Sequence, residues 1–211
     1  MKKVKFIVFI CLFILLPLAY FNGFIRISDL TSEQESIAKK YGGVYVFDEK
    51  LEKEIDKREE ERDKYLDDFF KNNNRDFDLN DQAIMNEKLP RALSNGKRYY
   101  LRWIDYENET GKEVKIPNDY VEKIINYIGK ENLEKYTPNL SMSYFYIDGD
   151  KVVPIRTSAS YLYRIKTFTL YGDEASGIKF IKDDIGLAKG GNRFEFINNK
   201  FQKVSTSDKD K

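Results

Sequence analysis

Hydrophobic and polar positions divide the chain into one apolar segment at the N-terminus and a long remainder of mixed character. From Phe6 to Ile25 the sequence carries no charge, whereas three lysines precede it and acidic residues follow it. About 20 residues at a helical rise of about 1.5 Å match the hydrocarbon core of a bilayer. Because cytoplasmic flanks are rich in lysine, the pattern predicts an N-terminal anchor over residues 1–25 that contacts the membrane through residues 6–25. The N-terminus is expected in the cytoplasm and the bulk of the chain outside it.

The same segment has features of a removable signal sequence. Its most apolar part, Phe6 to Leu16, has the length of a signal-peptide hydrophobic region. Small residues that suit cleavage are poorly placed, since Ala19 is followed by Tyr20 and has Pro17 two positions before it. We therefore expect an uncleaved, single-pass anchor in the inner or plasma membrane. Release into the periplasm or secretion after cleavage is the alternative.

The membrane-proximal part, residues 26–72, has helical patterns. Ser32 and Glu35 have the spacing of a capping box and predict a short helix that ends at Gly42-Gly43. Residues 48–71 lack Gly and Pro and place acidic residues four positions before Lys or Arg, the order that stabilises a helix. Alternating charge is typical of a solvated surface, so we expect this long helix to have an exposed middle and two docked ends.

Residues 73–204 are predicted to form an α+β domain. A one-sided apolar stripe at Val121, Ile124, Ile125 and Ile128 indicates a helix that faces the core. The segment from Arg98 to Tyr106 is rich in aromatic residues and predicts a strand.

Strand patterns dominate the chain after residue 140. Asp148-Gly149 separates two apolar runs and predicts a hairpin turn. The order of elements predicts an α+β fold: an N-terminal transmembrane or signal helix followed by helices and an antiparallel, curled β-sheet. Residues 205–211 have nothing to bury and are expected to be a disordered tail.

Composition limits the chemistry of everything after the apolar segment. The chain has no His, and its single Cys, Cys11, lies within that segment. A catalytic pair that uses His, a disulfide and a Cys/His zinc site are therefore excluded. The net charge is +1 and no basic stripe is present, so nucleic-acid binding is not expected.

One acidic segment has the spacing of a metal-binding loop. Asp76, Asp78 and Asn80 alternate along it, and Glu87 stands at the twelfth position. This spacing resembles the calcium loop of EF-hand proteins, and the resemblance implies that side-chain oxygens of these four residues bind calcium. The sequence departs from the loop at Asp81, where glycine normally permits a sharp turn. The favoured interpretation is that Asp78 or Asn80 caps a following helix.

Catalysis by carboxylates alone requires two acidic side chains that flank one bond. The closely spaced pairs Asp67-Asp68, Asp148-Asp150 and Asp183-Asp184 lie in predicted turns or charged surface, and nothing near them indicates the burial that raises a carboxyl pKa. We therefore expect a protein that is not an enzyme and needs no cofactor other than the calcium considered above.

Fifteen Tyr and fifteen Phe residues favour a protein-binding role, because aromatic side chains are enriched at interfaces. The resulting hypothesis is a membrane-anchored extracytoplasmic domain, in a bacterial periplasm, that binds another protein as an immunity or inhibitor protein does. The alternatives are a structural subunit of a membrane-spanning envelope assembly and a carboxylate-based enzyme without His or Cys.

Overall fold

The computed structural model describes residues 2–173, 175 and 177–204. Helices alternate irregularly with the strands of one curled sheet that does not close on itself. The predicted α+β class is therefore confirmed. The expected disordered tail, residues 205–211, lies outside the described residues.

The N-terminal apolar segment is helical but interrupted. Helix α1 (Lys2–Ile10) is followed by a π-helical turn (Cys11–Leu15) and then by α2 (Leu16–Phe21). Pro17 accounts for the interruption, because it lacks an N–H and its ring crowds the carbonyl four residues earlier. Among the described residues, no helix combines the length and the apolar character needed to cross a membrane, and the predicted transmembrane helix is thus not supported.

The last residues of the expected anchor belong to the sheet. Strand β1 (Asn22–Ser28) pairs antiparallel with the second half of the long strand β5 (Lys151–Asp173). Helix α2 ends here because Gly23 has a φ of 72°, a conformation that favours glycine. The Asn22 side-chain amide donates to the Leu18 carbonyl oxygen at 2.8 Å and caps the helix end. The expected boundary at residue 25 therefore falls inside a strand.

The next two helices begin where side chains cap them. Thr31 Oγ1 accepts a hydrogen bond from the Gln34 N–H at 3.1 Å, one residue before the predicted capping position. Asp48 caps the long helix by accepting from the Leu51 N–H at 3.0 Å. Both predicted helices are confirmed, as α3 (Ser32–Tyr41) and α4 (Glu49–Asn72). The three expected i,i+4 ion pairs of α4 are formed: Glu49–Lys53, Glu54–Arg58 and Glu60–Lys64.

The strands besides β1 and β5 are β2 (Gly43–Val46), β3 (Tyr99–Arg102), β4 (Asn139–Asp148), β6 (Gly177–Ala188), β7 (Asn192–Ile197) and β8 (Lys200–Val204). The main part of the sheet has the strand order β3-β4-β5-β2-β7-β8. Most neighbouring strands are antiparallel, but β2 and β7 run parallel. The expectation of a wholly antiparallel sheet is wrong for this pair. Because β2 and β7 are far apart in sequence, no hairpin turn joins them, and the sequence pattern does not show their relative direction.

The predicted strand from Arg98 to Tyr106 is wrong in its second half. Strand β3 ends at Arg102, and the chain then forms α6 (Trp103–Thr110), which ends at Gly111 with a φ of 68°. The rings of Tyr100 and Tyr106 pack at 5.1 Å between centroids. The aromatic residues of this segment therefore pack in the core, but they belong to two different elements, β3 and α6. The other helices are α5 (Leu79–Lys88), α7 (Asn118–Ile128) and α8 (Lys130–Lys135).

The apolar stripe of α7 packs on the sheet as predicted. Ile124 and Ile128 are buried against Tyr45, Phe194 and Phe201, which come from three different strands. Burying an isoleucine side chain contributes about 1.5–3 kcal/mol. This cluster fixes β2, β7 and β8 against α7.

A second cluster joins α4 to the other end of the sheet through Ile55, which packs on Tyr99 and Ile155. Arg193 and Phe194 are neighbours in β7, so their side chains point to opposite faces. Phe194 packs in the cluster of α7, whereas Arg193 binds Glu52 of α4. The two helices therefore cover opposite faces of this strand.

Candidate functional site: an exposed three-stranded arm

The two halves of the long strand β5 pair with different neighbouring strands. Its first half lies between β4 and β2 in the main sheet. From Tyr161 onward it lies between β1 and β6 and forms a three-stranded antiparallel extension. We refer to β1, residues 161–173 of β5 and β6 as the arm.

One face of the arm is apolar and open. The residue pairs Leu162–Leu187, Arg164–Ile185 and Lys166–Asp183 are directly opposite each other, so their side chains share one face. Five apolar side chains on this face are between 42 and 72% exposed: Ile27, Leu162, Ile181, Ile185 and Leu187. We refer to these five residues as the apolar face of the arm. Several large apolar side chains exposed on one face of a folded domain commonly mark an interaction site.

The base of the arm is held firmly on the rest of the domain. The Arg164 N–H donates to the Asp29 carboxylate at 2.6 Å, and the Asp29 N–H donates back to the Arg164 carbonyl oxygen at 3.1 Å. The Gln34 side-chain amide of α3 donates to the Leu162 carbonyl oxygen at 2.9 Å. These contacts fix the direction in which the arm leaves the main sheet.

In the half of the arm next to the main sheet, the opposite face is polar or covered. Tyr161 is fully buried against Ile37 and Ala38 of α3, and burial raises the pKa of its hydroxyl to about 12. Further along, the ring of Tyr163 lies over Gly186, where any added Cβ would stand 2.2 Å from the ring. An aromatic ring that covers a cross-strand glycine stabilises the pair. The two faces are thus built differently, and the apolar one is left open.

Strand β6 is also an edge. Among the described residues it pairs with β5 alone, over 11 register positions from Ala188 to Gly177. An unpaired strand edge presents backbone N–H and C=O groups that can bind a further strand. The arm therefore offers both an apolar face and an open edge.

Buried charges lie elsewhere, under α4. Glu52 is buried, accepts a hydrogen bond from Arg193 Nη1 at 3.1 Å and lies 3.6 Å from Arg156 Nη1. The hydrogen bond to Glu52 raises the pKa of the Arg193 guanidinium further above its ordinary value, and Glu195 adds to this at 2.9 Å. Because each charge is paired, this cluster stabilises the fold and presents no free acid or base.

A second charged cluster also lies on α4. Glu59 accepts two hydrogen bonds from Arg91, at 3.0 and 2.9 Å, and one from the Tyr99 hydroxyl at 2.6 Å. Arg62 is buried beside it and donates to the Asn86 side chain and to the Leu89 carbonyl oxygen. The expectation of an exposed middle is confirmed for one side of α4, where Asp56, Glu60 and Lys64 are exposed. It is wrong for the side that carries Glu59 and Arg62, because partners from distant segments cover these two charges.

Asp76, Asp78 and Asn80 of the calcium-loop resemblance lie at the start of α5, whereas Glu87 lies near the end of that helix. Asp78 caps this helix by accepting from the N–H groups of Asn80 and Asp81 at 2.8 and 3.0 Å, which confirms the favoured interpretation. The Asp81 carboxylate in turn accepts a hydrogen bond from the Asp78 N–H at 3.1 Å, which completes a capping box. Asp76, Asn80 and Glu87 are exposed. Within residues 2–173, 175 and 177–204, no three His, Cys, Asp or Glu side chains are grouped so that they could hold a metal ion.

Asp81 has an ion-pair partner that the sequence pattern did not indicate. Arg75 Nη2 donates to its carboxylate at 2.8 Å, and Nη1 donates to the other oxygen at 2.5 Å. The hydrogen bonds from Arg75 lower the pKa of Asp81 to about 2. A carboxylate held in this way is a structural element of the helix start.

The acidic pairs considered for catalysis are not brought together around one site. Asp183 and Asp184 are neighbours in β6 and point to opposite faces of the arm. Asp184 pairs with Lys182 at 3.0 Å, and Asp148 pairs with Lys97 at 2.7 Å.

The sequence predicted strands throughout the part of the chain after residue 140, but it did not indicate that some of them form the arm. Alternation of apolar and polar residues shows that a strand has an apolar face, but it does not show what covers that face. Comparison of the chain with protein-family models, with curated proteins and with solved structures found no match.

Proposed function

We propose that the chain is a non-enzymatic, membrane-held, extracytoplasmic domain that binds another protein through the arm. The observation that carries this proposal is the apolar face of the arm, which stands outside the packed core with no covering element among the described residues. Arg164, Lys166 and Asp183 are interspersed with its apolar residues. A mixture of apolar side chains with a few charges is the usual character of a protein interface.

The proposed mode of binding uses the open edge of β6 together with the apolar face. A partner strand added at β6 would gain backbone hydrogen bonds, and its alternate side chains would cover Ile185 and Leu187. An immunity protein or inhibitor that captures a soluble target is the form of this function that the architecture supports best. Neither edge nor face requires a cofactor.

Membrane attachment is part of the proposal. The apolar side chains from Phe6 to Leu18 are largely exposed, and Lys3 and Lys5 precede them. Exposed apolar side chains on a helical segment with lysines at one end favour burial of the segment in lipid, with the lysine end at the cytoplasmic side of the membrane. We therefore propose an inner or plasma membrane location with the N-terminus in the cytoplasm. Release after cleavage is the alternative.

A second candidate function is a structural subunit of an envelope assembly. The open edge of β6 favours it, since the same edge could pair with a second copy of the chain. The two candidates differ in stoichiometry, because a captured target gives one discrete adduct and a repeating assembly gives a ladder of copies.

Photo-crosslinking in native membranes tests both candidates. Benzoylphenylalanine is introduced in place of Ile185, which is 72% exposed on the arm, or in place of Leu79, which is 83% exposed on α5 and serves as the control. We expect one discrete heterologous adduct from position 185 and none from position 79. A ladder of homo-multimers from position 185 would establish the structural subunit, and uncrosslinked monomer at both positions would contradict both functions.

A matched pair of charged variants adds an independent measurement. Ile185→Glu should abolish the adduct from a crosslinker at Leu187, whereas Leu79→Glu should leave it unchanged. Both substitutions are at exposed positions, so circular dichroism should show the same fold for both variants. An adduct that survives Ile185→Glu would exclude the apolar face as the binding surface.

A further inference from the structure

The end of the arm that lies far from the main sheet is next to the N-terminal apolar segment. Helix α2 ends at Phe21 and β1 begins at Asn22, with no linker between them. Asn22 pairs with Thr169, and β5 and β6 separate only four residues further on, after the pair Asp173–Gly177. At about 3.3 Å per residue, the end of the arm is about 13 Å from the point where the chain leaves α2.

This end of the arm carries exposed apolar and aromatic side chains. Leu170, Tyr171, Ile178 and Phe180 are between 38 and 71% exposed, and we refer to these four residues as the arm tip. Lys179 stands between two of them and is also exposed. Aromatic residues with a neighbouring lysine are typical of the level of lipid headgroups, where rings lie at the boundary and lysine extends to water.

We infer that the arm tip inserts into the same lipid surface as the N-terminal segment and is a second membrane contact. This inference rests on the membrane attachment proposed above. Because no residue separates α2 from β1, a helix held in lipid places Asn22 at the bilayer surface, and the pairing of Asn22 with Thr169 places the tip there too. The exposed apolar side chains of the arm tip then contact lipid in place of water. The strands of the arm run away from the membrane surface.

Two membrane contacts would fix the orientation of the apolar face and of the β6 edge relative to the membrane. Two contacts, one through the helical segment and one through the tip, restrict rotation of the domain about its tether. The open edge of β6 would then be held perpendicular to the membrane, within reach of soluble partners.

Site-directed fluorescence on the full chain tests the inference. Cys11→Ser removes the single cysteine, and either Ile178→Cys or Leu79→Cys supplies one attachment point for an environment-sensitive dye. The two positions are matched because both are highly exposed aliphatic residues, one in the arm tip and one on α5. Each labelled protein is reconstituted in phosphatidylcholine vesicles that contain a lipid with a spin-label quencher near the headgroup, and association is measured by flotation.

We expect the dye at position 178 to shift to shorter wavelength and to be quenched severalfold more than the dye at position 79. If the protein floats with the vesicles but the two positions are quenched equally, the tip contact is overturned while membrane attachment stands. If the protein does not float, both proposals fail. A shift at position 178 that appears without vesicles and grows with protein concentration would assign the tip to a second copy of the chain and overturn the lipid contact.

Discussion

At the scale of single residues, two fully buried tyrosines are expected to respond oppositely to the loss of their hydroxyls. The Tyr161 hydroxyl has no hydrogen-bond partner among the described residues, whereas the Tyr99 hydroxyl donates to Glu59 at 2.6 Å. A buried polar group without a partner costs free energy, and a hydrogen bond to a charged group contributes about 1.5–3 kcal/mol. Tyr161→Phe should therefore raise the free energy of unfolding by about 1 kcal/mol, and Tyr99→Phe should lower it by about 1.5–3 kcal/mol. Urea denaturation of both variants measures this, and equal losses would contradict the assignment.

Asp81 should make the start of α5 sensitive to acid. Its pKa is lowered from 3.8 to about 2 by the hydrogen bonds from Arg75. A carboxyl whose pKa is lower in the folded state stabilises the fold above its unfolded pKa, and this contribution is lost as the pH falls through the folded value. Asp81→Asn should therefore be less stable than the wild type at pH 7, and the difference should shrink between about pH 4 and pH 2. A difference that is constant over this range would show that Asp81 acts only through packing.

Sequence reasoning at this scale succeeded where the relevant partner is local. The capping role of Asp78 and the three i,i+4 pairs of α4 depend on residues within one turn, and the sequence predicted both. The burial of Glu52 and Arg62 depends on Arg193 and Asn86, which are brought to them by the fold. Charge alternation in α4 could not distinguish a solvated charge from one that a distant partner covers.

At the scale of elements, α4 is expected to depend on its buried carboxylate. Glu52→Leu leaves Arg193 and Arg156 without their shared partner beneath the helix. Breaking a buried ion pair by removing one member costs about 3–5 kcal/mol. Arg193 and Arg156 are 31 and 27% exposed, and Arg193 keeps Glu195 as a partner at 2.9 Å. We therefore expect a smaller loss of about 2–3 kcal/mol in the free energy of unfolding, measured with guanidinium chloride.

Lys64→Gln on the same helix is the control for Glu52→Leu. Lys64 and Glu60 form an exposed pair, 68 and 65% accessible, and exposed pairs contribute about 0–1 kcal/mol. If Glu52→Leu costs no more than this control, water reaches the two arginines and the cluster does not stabilise the fold as argued.

The elements themselves were predicted where their patterns are periodic and long. Helices α3, α4 and α7 and the hairpin of β4 and β5 match their sequence patterns. Strand β1 was missed because its apolar residues continue the composition of the preceding helix α2. Only Asn22 and Gly23 mark the end of that helix in the sequence. Helix α6 was missed because its aromatic residues have high strand propensity, which core packing against Phe145 overrides.

At the scale of the whole molecule, the domain consists of a packed body and an arm that adds little to the core. Four clusters of buried apolar residues lie in the body among the described residues. Of the arm's described side chains, only Tyr161 at its base belongs to any of them, with Ala188 packed beside it. The sequence predicted one curled sheet but not this division. Apolar and polar residues alternate in the same way in strands whose apolar face packs on a helix and in strands whose apolar face is exposed.

This division predicts two levels of local stability, which amide hydrogen exchange can separate. Strands β6 and β8 are both edges that pair with one neighbour, but Phe201 anchors β8 in the core whereas the apolar side chains of β6 stay exposed. Regions with few buried contacts open with a lower free energy than the core. For the isolated protein, amides of β6 should exchange at least about 100-fold faster than paired amides of β8, which corresponds to about 2.8 kcal/mol in opening free energy.

Vesicles should slow amide exchange near the arm tip, and a bound partner should slow amide exchange along the edge of β6. Equal exchange in the two strands would show that the arm unfolds only together with the body, and that its open face is no separate unit of the fold.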